Sequence, residues 1–328
     1  MTYRMPAEWA EQDWIWIGFP AAADLWEDDL VPAQEQVAAF ANAIAATGQE
    51  VRLVMRDDMA AQQARALVLP QVKLEQHPYG DIWLRDTGPL TLLDSNGGRA
   101  ARRFGFNGWG GKYLLDGDRE TGASLVAAGD LTDLGEADWV LEGGAVDTDG
   151  TGLVVTTGQC LLHPNRNLEL SQAQIAERLG RDLGLNRVLW LGDGLLGDHT
   201  DGHVDNLARF VAPGRIAIPI ALDDDDPNAA TYDDAAARAE AFGLDVARIP
   251  SPGRMGEDDD VEPASYMNFV IANRVVVVPI YGSPYDEAAV AAIGALFPAR
   301  KAVGLMADAV LTGGGSFHCC SQHVPMAL

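Results

Sequence analysis

Five short polar stretches recur along this chain at nearly equal intervals, and this spacing restricts the folds that the chain can adopt. The stretches are marked by Asp86, Glu142, Asp205, Asn268 and Cys319, which are 56, 63, 63 and 51 residues apart. Recurrence at a nearly fixed interval is typical of chains built from repeated structural units. The spacing therefore predicts an α/β fold of five similar modules, each giving one polar stretch to a common axis. No residue-by-residue repeat accompanies it, which leaves coincidence as the alternative.

Hydrophobic patterning predicts the elements of these modules. Strands are predicted at residues 13–19, 50–55, 72–77, 187–191, 216–219 and 245–249, with a strand pair in 270–280. Helices are predicted at residues 32–47, 59–69, 171–183, 233–242 and 283–297. The helix at 171–183 opens with a capping box, Ser171 to Gln174. Because neither a linker nor a low-complexity segment interrupts this pattern, residues 1–328 are predicted to form a single domain.

Composition excludes several classes of protein. No apolar run reaches the roughly 18 residues that a membrane helix needs, and the N-terminus has no secretory apolar core, so the cytoplasm is the expected location. The net charge of −25 disfavours nucleic acid and anionic membranes as partners and attracts cations. The same charge would also serve solubility or adaptation to salt. The acidic runs Asp223–Asp226 and Glu257–Asp260 are predicted to be exposed loops.

Three cysteines, at positions 160, 319 and 320, form neither a disulfide framework nor a zinc-ribbon spacing. Cys319 follows Gly313-Gly314-Gly315-Ser316-Phe317-His318. Glycines allow backbone conformations that other residues avoid and allow close approach to a ligand, and a thiol with a lowered pKa is a strong nucleophile. The alternative is a glycine-rich turn before a buried strand, with the cysteines as small apolar residues.

The pair His203 and Asp205 is the second candidate for chemistry. On a strand, residues two apart share one face, and an imidazole beside a carboxylate suits acid–base catalysis. A hydrogen-bonded pair in the core is the alternative. His199 lies four residues before His203, and such a pair on a helix can bind zinc. Thr200-Asp201-Gly202 is poor helix material, however, so no metal site is expected.

Asp86 precedes Thr87-Gly88-Pro89 and is predicted at a strand end, and Glu142 precedes two glycines. Both could instead be turn residues. Trp83 suits either the core or a wall that stacks on a ligand, and Arg166 is expected to pair with an inward carboxylate. Anions raise the pKa of a thiol, so a cysteine among these acids needs a cation between them. Two carboxylates can hold a guanidinium through its N–H groups, and its charge would stabilise the thiolate.

At these residues the chain resembles the family of agmatine deiminases and Porphyromonas-type peptidyl-arginine deiminases, which modify guanidines. The resemblance rests on motifs that span nearly the whole chain: 5–9, 83–89, 106–113, 142–144, 165–167, 200–206, 266–273 and 313–319. Ser316-Phe317, Cys320–His323 and Ala145–Asp147 depart from the family's usual residues. The resemblance implies a five-fold pseudosymmetric α/β propeller.

The resemblance also implies roles for single residues. Cys319 becomes the nucleophile, His203 the general acid and base, and Asp86 and Asp205 the clamp for a guanidinium. Glu142 would orient or charge His203. The substrate-binding candidates are Trp83, Trp109, Asn268 and Gly314. No metal or cofactor is implied.

The sequence thus predicts a hydrolase of a small cationic guanidine, with agmatine favoured. Peptidyl arginine or another arginine-like compound is the alternative within this class, and Arg102 or Arg103 could anchor a substrate carboxylate. A non-catalytic polyamine-binding protein and a metal-dependent hydrolase are alternatives from other classes. Assembly into a homo-oligomer is left open.

Overall fold

The structure, a computed structural model, describes residues 3–256 and 261–327. The predicted loop Glu257–Asp260 lies outside them. In these ranges the strands β1 to β17 are Tyr3–Arg4, Gln12–Gly18, Glu50–Met55, Lys73–Gln76, Leu90–Asp94, Arg99–Gly105, Thr132–Val140, Asp147–Thr148, Leu153–Thr157, Arg187–Leu191, Arg209–Ala212, Arg215–Ile220, Asp245–Pro250, Val270–Ile271, Val275–Ile280, Lys301–Met306 and Ser321–Pro325.

The helices α1 to α12 are Ala23–Trp26, Leu30–Ala45, Asp58–Leu67, Leu84–Thr87, Gly108–Gly111, Asp118–Ala128, Gly158–Leu161, Pro164–Asn167, Gln172–Leu183, Ala229–Phe242, Asp286–Leu296 and Asp308–Leu311. Short 3-10 helices occupy Glu27–Asp29, Gly143–Ala145, Val204–Asn206 and Tyr266–Asn268. Among the described residues, no helix combines the length and the apolar character needed to cross a membrane.

The described strands form five mixed sheets with one recurring order. In each sheet an antiparallel pair continues into a parallel pair, as β5–β6–β7, β8–β9–β10, β11–β12–β13, β14–β15–β16 and β17–β2–β3. A helix separates the two parallel strands along the chain in every case: α6, α9, α10, α11 and α2 respectively. Such a crossover is required because parallel strands cannot be joined by a tight turn. Strands β1 and β4 extend two of the sheets at their edges.

The five polar markers occupy the same place in each module, immediately before its first strand. Asp86 lies in α4, Glu142 precedes the 3-10 helix Gly143–Ala145, Asp205 and Asn268 lie in 3-10 helices, and Cys319 lies in the turn before β17. The spacing in the sequence therefore reflects one structural position used five times. Each marker sits on a tight turn, where a side chain can leave the sheet.

The fifth sheet joins the two ends of the chain. Strand β17 pairs antiparallel with β2, and the amide of Gly18 donates to the carbonyl of Cys320 at 2.9 Å. Helix α2 covers this sheet with an apolar face, and its Phe40 stacks on Phe317 with ring centroids 4.7 Å apart. This contact holds the turn that carries Cys319 against the core.

Most predicted elements agree with the structure to within a few residues. The capping box is confirmed, because the Ser171 hydroxyl accepts from the Gln174 amide and opens α9. Helix α2 begins at Leu30, before its predicted start, with Pro32 in the first turn. The prediction that Asp226 is exposed is wrong, since its carboxylate is buried and accepts from the Ser251 hydroxyl at 2.5 Å.

We expect the end of β2 to tolerate no side chain at Gly18. A Cβ built there would lie 2.3 Å from the carbonyl oxygen of Ile82 and 2.8 Å from its Cα. Gly18→Ala should therefore lower the free energy of unfolding in urea by about 2 kcal/mol. The matched control is Gly158→Ala, whose Cβ would approach no atom closer than 3.4 Å. Equal denaturation midpoints for the two variants would contradict the close approach.

Candidate active site

A cleft of about 170 Å³ contains Cys319 in its wall. The cleft is lined by Leu25, Trp26, Asp81, Trp83, Asp86, Trp109, Tyr113, Leu115, His199, Thr200, residues 312–315 and Cys319. Five of the nine candidates from the sequence thus line it: Trp83, Asp86, Trp109, Gly314 and Cys319. The other four, Glu142, His203, Asp205 and Asn268, are fully buried.

Cys319 lies in a turn that precedes strand β17. The turn forms because the Cys320 amide donates to the Ser316 carbonyl at 3.1 Å, and β17 begins only at Ser321. The two cysteines nevertheless face different surroundings. Cys319 reaches the cleft, whereas the Cys320 thiol is fully buried and donates to the Phe317 carbonyl at 3.4 Å.

Asn268 holds the thiol in place through both ends of its amide. Its Nδ2 donates to Sγ of Cys319 at 3.1 Å, and its Oδ1 accepts from the amides of His318 and Cys319 at 2.9 and 3.2 Å. Oδ2 of Asp205 lies 3.7 Å from the same sulfur. The sequence candidates Asn268, Asp205 and Cys319 are therefore brought together.

Asp86 is fixed by two donors. It lies in α4 and not at the end of a strand as predicted, and its Oδ1 accepts from the Gly144 amide at 3.0 Å. Its Oδ2 accepts from Nε1 of Trp109 at 2.9 Å. Trp109 and its neighbours Gly108 and Gly110 all have positive φ angles, of 51°, 69° and 83°, which the flanking glycines adopt without steric cost. The glycine-rich segment thus brings the indole to Asp86.

His203 and Asp205 do not lie on a strand, which corrects the prediction from their spacing. Gly202 has a φ of 87° and turns the chain, and a 3-10 helix follows at Val204–Asn206. Both side chains still converge on Gly144. A Cβ at Gly144 would lie 2.5 Å from Nδ1 of His203, 3.0 Å from Oδ1 of Asp86 and 3.1 Å from Oδ2 of Asp205. The absence of a side chain at Gly144 is what allows these three groups to meet.

Glu142 is paired with Arg166, as the sequence predicted for an inward carboxylate. Nε of Arg166 donates to Oε1 of Glu142 at 2.6 Å, and its Nη1 lies 2.8 Å from Asp201. Among the described residues, Oε2 of Glu142 and both ring nitrogens of His203 have no hydrogen-bond partner. Glu142 and His203 therefore keep unused hydrogen-bonding capacity inside the core.

A metal could in principle use this capacity, since atoms of Glu142, Cys160 and His203 lie within 4.8 Å of one another. Such a set is of the kind that binds zinc. Arg166 already balances the charge of Glu142, however, and His203 favours its protonated form, as shown below. The pair considered from the sequence is excluded, because His199 lies in the cleft wall and His203 in the core, and no helix joins them. The arrangement suits proton transfer better than metal binding.

The surrounding charges set the protonation of the site. Burial, together with the Asp205 and Asp86 carboxylates, raises the pKa of the Cys319 thiol well above its ordinary value. Burial opposes protonation of His203, but the Asp86 carboxylate, the Cys160 thiol and the Glu142 carboxylate raise the pKa of its imidazole well above the ordinary value. Burial also raises the pKa of Asp86, although His203 opposes this. Without a bound cation, these surroundings favour a neutral thiol at Cys319 and a protonated imidazole at His203.

Several residues of the site were missed by the sequence reasoning. Glu8 joins Arg209 and His318 in a buried network beside Asp205, and its partners lie too far along the chain for any local pattern to reveal. Asp81 lines the cleft, where its Oδ1 accepts from Nε1 of Trp26 at 2.9 Å and burial raises its pKa to about 6. The only available signal was that Glu8 and His318 belong to the motifs of the resemblance.

The arginines that the sequence left as carboxylate anchors do not reach the cleft. Arg102 donates to the Leu134 carbonyl at 2.5 Å, and Arg103 pairs with Asp133 at 3.1 Å and Glu136 at 3.3 Å. Among the described residues that line the cleft, none is a lysine or an arginine. The cleft therefore presents acids and aromatic faces to a ligand.

Comparisons with known proteins agree with this geometry. A sequence profile of Porphyromonas-type peptidyl-arginine deiminases matches residues 4–325. The agmatine deiminase of Stutzerimonas stutzeri is 35% identical over 355 residues, which cover 98% of this chain and 95% of that protein. The solved agmatine deiminase of Enterococcus faecalis superposes with a TM-score of 0.93 at 32% identity, covering 99% of this chain and 96% of that one.

A second solved structure, C. jejuni agmatine deiminase with substrate bound, has a TM-score of 0.92 at 28% identity, with 100% of this chain and 97% of that chain covered. The mixed α/β sheets are thus shared along the whole length of these proteins. On the profile match and the 35% identity, the chain belongs to the Porphyromonas-type peptidyl-arginine deiminase family.

Proposed function

We propose that this protein hydrolyses agmatine to N-carbamoylputrescine and ammonia. The observation that carries the proposal is the grouping of one thiol with two carboxylates at a cleft whose described lining residues include no lysine or arginine. Cys319 and Asp86 line this cleft, and Asp205 lies 3.7 Å from the sulfur. The relatives named above as agmatine deiminases support the choice of substrate.

Asp86 and Asp205 would hold the guanidinium. Two carboxylates can accept several N–H groups of a planar guanidinium, and charged hydrogen bonds of this kind are the stronger ones. The positive charge of the substrate would then offset the two anions that raise the pKa of Cys319. Binding of the correct cation would therefore favour loss of the thiol proton to solvent and generate the thiolate.

The first chemical step is attack by this thiolate on the guanidinium carbon. A carbon–sulfur bond forms, and the tetrahedral adduct breaks one carbon–nitrogen bond. His203, whose protonated form is favoured, gives its proton to the departing nitrogen, which leaves as ammonia. The product of this step is a covalent thiouronium on Cys319.

The second step is hydrolysis of the thiouronium. His203, now neutral, accepts a proton from a water molecule that adds to the same carbon. The new tetrahedral adduct breaks its carbon–sulfur bond, and its hydroxyl proton passes to the departing sulfur, which restores the neutral Cys319 thiol and releases the ureido product. Glu142, paired with Arg166, would stabilise the protonated form of His203 that the first step uses and the second step restores.

We also propose that residues 1–328 form one domain, a five-fold pseudosymmetric α/β propeller, and that the five polar markers surround its axis. The recurrence of one strand order in five sheets supports this arrangement. Pairing of β17 with β2 supports closure of the ring, because it joins the two ends of the chain in one sheet.

The substrate preference can be tested by ammonia release from agmatine, arginine and a peptidyl arginine. Arginine carries a carboxylate that no lysine or arginine lining the described cleft could pair with, whereas the ammonium of agmatine suits Asp81 and the face of Trp83. We expect kcat/KM for agmatine to exceed that for arginine by at least about a hundredfold. Equal or faster turnover of either arginine substrate would reject agmatine as the preferred substrate.

The nucleophile can be tested by two matched substitutions. Cys319→Ser should abolish turnover without loss of folding, because a serine hydroxyl does not ionise near neutral pH. Cys320→Ser should have a mild effect, since that thiol faces the core and not the cleft. Mass spectrometry of the enzyme trapped during turnover should find the substrate carbon on Cys319. Its appearance on Cys320 would reverse the assignment.

The control of the thiol by its neighbouring acids predicts two opposite effects of Asp86→Asn. Turnover should fall by roughly a hundredfold or more, since loss of one partner of a buried charge pair costs about 2–5 kcal/mol. The pKa of Cys319 should fall at the same time, because one of the anions that raises it is removed. Alkylation of Cys319 by iodoacetamide should therefore proceed at lower pH than in the unmodified protein.

The control for this experiment is Asp81→Asn, which removes another acid that lines the same cleft. Its alkylation profile should match that of the unmodified protein, because Asp81 is not among the groups that raise the pKa of Cys319. Identical profiles for all three proteins would show that Asp86 does not set the charge of the thiol.

A further inference from the structure

A chain of buried hydrogen bonds connects the N-terminal segment to one acid of the proposed clamp. Nδ1 of His318 lies 2.7 Å from Oδ2 of Asp205, and Nε2 lies 2.8 Å from Oε2 of Glu8. Glu8 is itself fixed by the amide of Ile271 at 2.7 Å and by Nη2 of Arg209 at 2.7 Å. The series of hydrogen bonds from Glu8 through His318 to Asp205 ends beside the sulfur of Cys319, which lies 3.7 Å from Oδ2 of Asp205. His318 also directly precedes Cys319 in the sequence.

The hydrogen bonds of His318 engage a carboxylate at each ring nitrogen. Burial opposes ionisation of Glu8, but Arg209 and His318 hold the pKa of Glu8 well below its ordinary value. Burial likewise opposes ionisation of Asp205, but the hydrogen bond from His318 lowers the pKa of Asp205. An ionised carboxylate can only accept a hydrogen bond, so two such partners favour a ring that donates from both nitrogens.

We propose that Glu8 and His318 are positioning residues, which fix the Asp205 carboxylate beside the Cys319 sulfur through an imidazolium, so that this carboxylate can meet the substrate guanidinium. Oδ1 of Asp205 is buried and has no hydrogen-bond partner among the described residues. A carboxylate with one oxygen bound and the other free can present that oxygen to a ligand without reorganisation. The proposal rests on the guanidine hydrolysis proposed above.

Other charged and titratable groups face this chain and must be considered with it. His318 lies near Asp147 and His323, and Nε of Arg85 donates to its carbonyl at 3.3 Å. Arg209 shares Oε2 of Glu8 with His318. Arg85 lies 3.8 Å from Glu8, and Arg209 lies 3.6 Å from Asp147. The two arginines thus balance Glu8 and Asp147, while His318 is the group in direct hydrogen bonding to Asp205.

The protonation of His318 can be measured without any substrate. In protein labelled with ¹⁵N in its histidine rings, we expect both nitrogens of His318 to carry protons at neutral pH. The signals would be assigned by their loss in His318→Asn. In Glu8→Gln the proton on Nε2 should exchange faster or disappear at lower pH, because its carboxylate partner is gone. A ring nitrogen without a proton in the unmodified protein would overturn the proposal, even if agmatine proves not to be the substrate.

The positioning role is tested by kinetics with agmatine. Glu8→Gln should reduce kcat/KM by about tenfold to a hundredfold, because a neutral amide in place of the carboxylate fixes His318 less firmly and Asp205 is then held less firmly for the substrate. Glu8→Asp, which keeps the charge, should recover part of the activity. An equal loss in both variants, with a lowered Tm, would indicate a merely structural role.

A double substitution separates the proposed route from others. The Asn amide of His318→Asn can take the place of Nδ1 beside Asp205, whereas the Gln amide of His318→Gln can take the place of Nε2 beside Glu8. His318→Asn should therefore keep the higher kcat/KM of the two. Adding Glu8→Gln to His318→Asn should cause little further loss, because the link is already broken. Fully additive losses would show that Glu8 does not act through His318.

Discussion

The structure depends on neutralising several carboxylates that are buried around one thiol. A buried charge is costly unless an opposite charge and hydrogen bonds accompany it. Each acid here has such a partner from a distant part of the chain: Glu8 with Arg209, Asp205 with His318, and Glu142 with Arg166. These pairs join the N-terminal segment, the middle modules and the C-terminal turn. The ion pairs that neutralise the buried carboxylates are therefore also the contacts that bring these segments together at the site.

The fold was largely predictable because its determinants are local or periodic. Buried strands such as β2 and β15 are apolar runs, and the helix that opens at Ser171 carries its own capping signal. The interval between polar stretches predicted a repeated unit, and one strand order does recur in the five described sheets. The two-residue spacing of His203 and Asp205 did not predict their secondary structure correctly. There the positive φ of Gly202 replaces the expected strand by a turn.

The site was predictable only in part, for a physical reason. Cys319, Asp86 and Trp83 sit in stretches whose residue types indicate chemistry, and the structure places all three in the cleft. Glu8 and His318 are 310 positions apart and meet only after the chain has folded. A glutamate in an N-terminal segment has no local feature that distinguishes it from a surface residue. Long-range ion pairs of this kind are visible only in three dimensions.

The charges around the thiol are the reason for proposing a cationic substrate. Ion pairs link five buried acids, Glu8, Asp86, Glu142, Asp147 and Asp205, with five basic groups, Arg85, Arg166, Arg209, His203 and His318. A thiolate at Cys319 would add a further anion beside Asp205 and Asp86, whose carboxylates already raise the pKa of its thiol. In the proposed reaction, a bound guanidinium brings a positive charge to this place. Recognition of the substrate and activation of the nucleophile would then be the same electrostatic event.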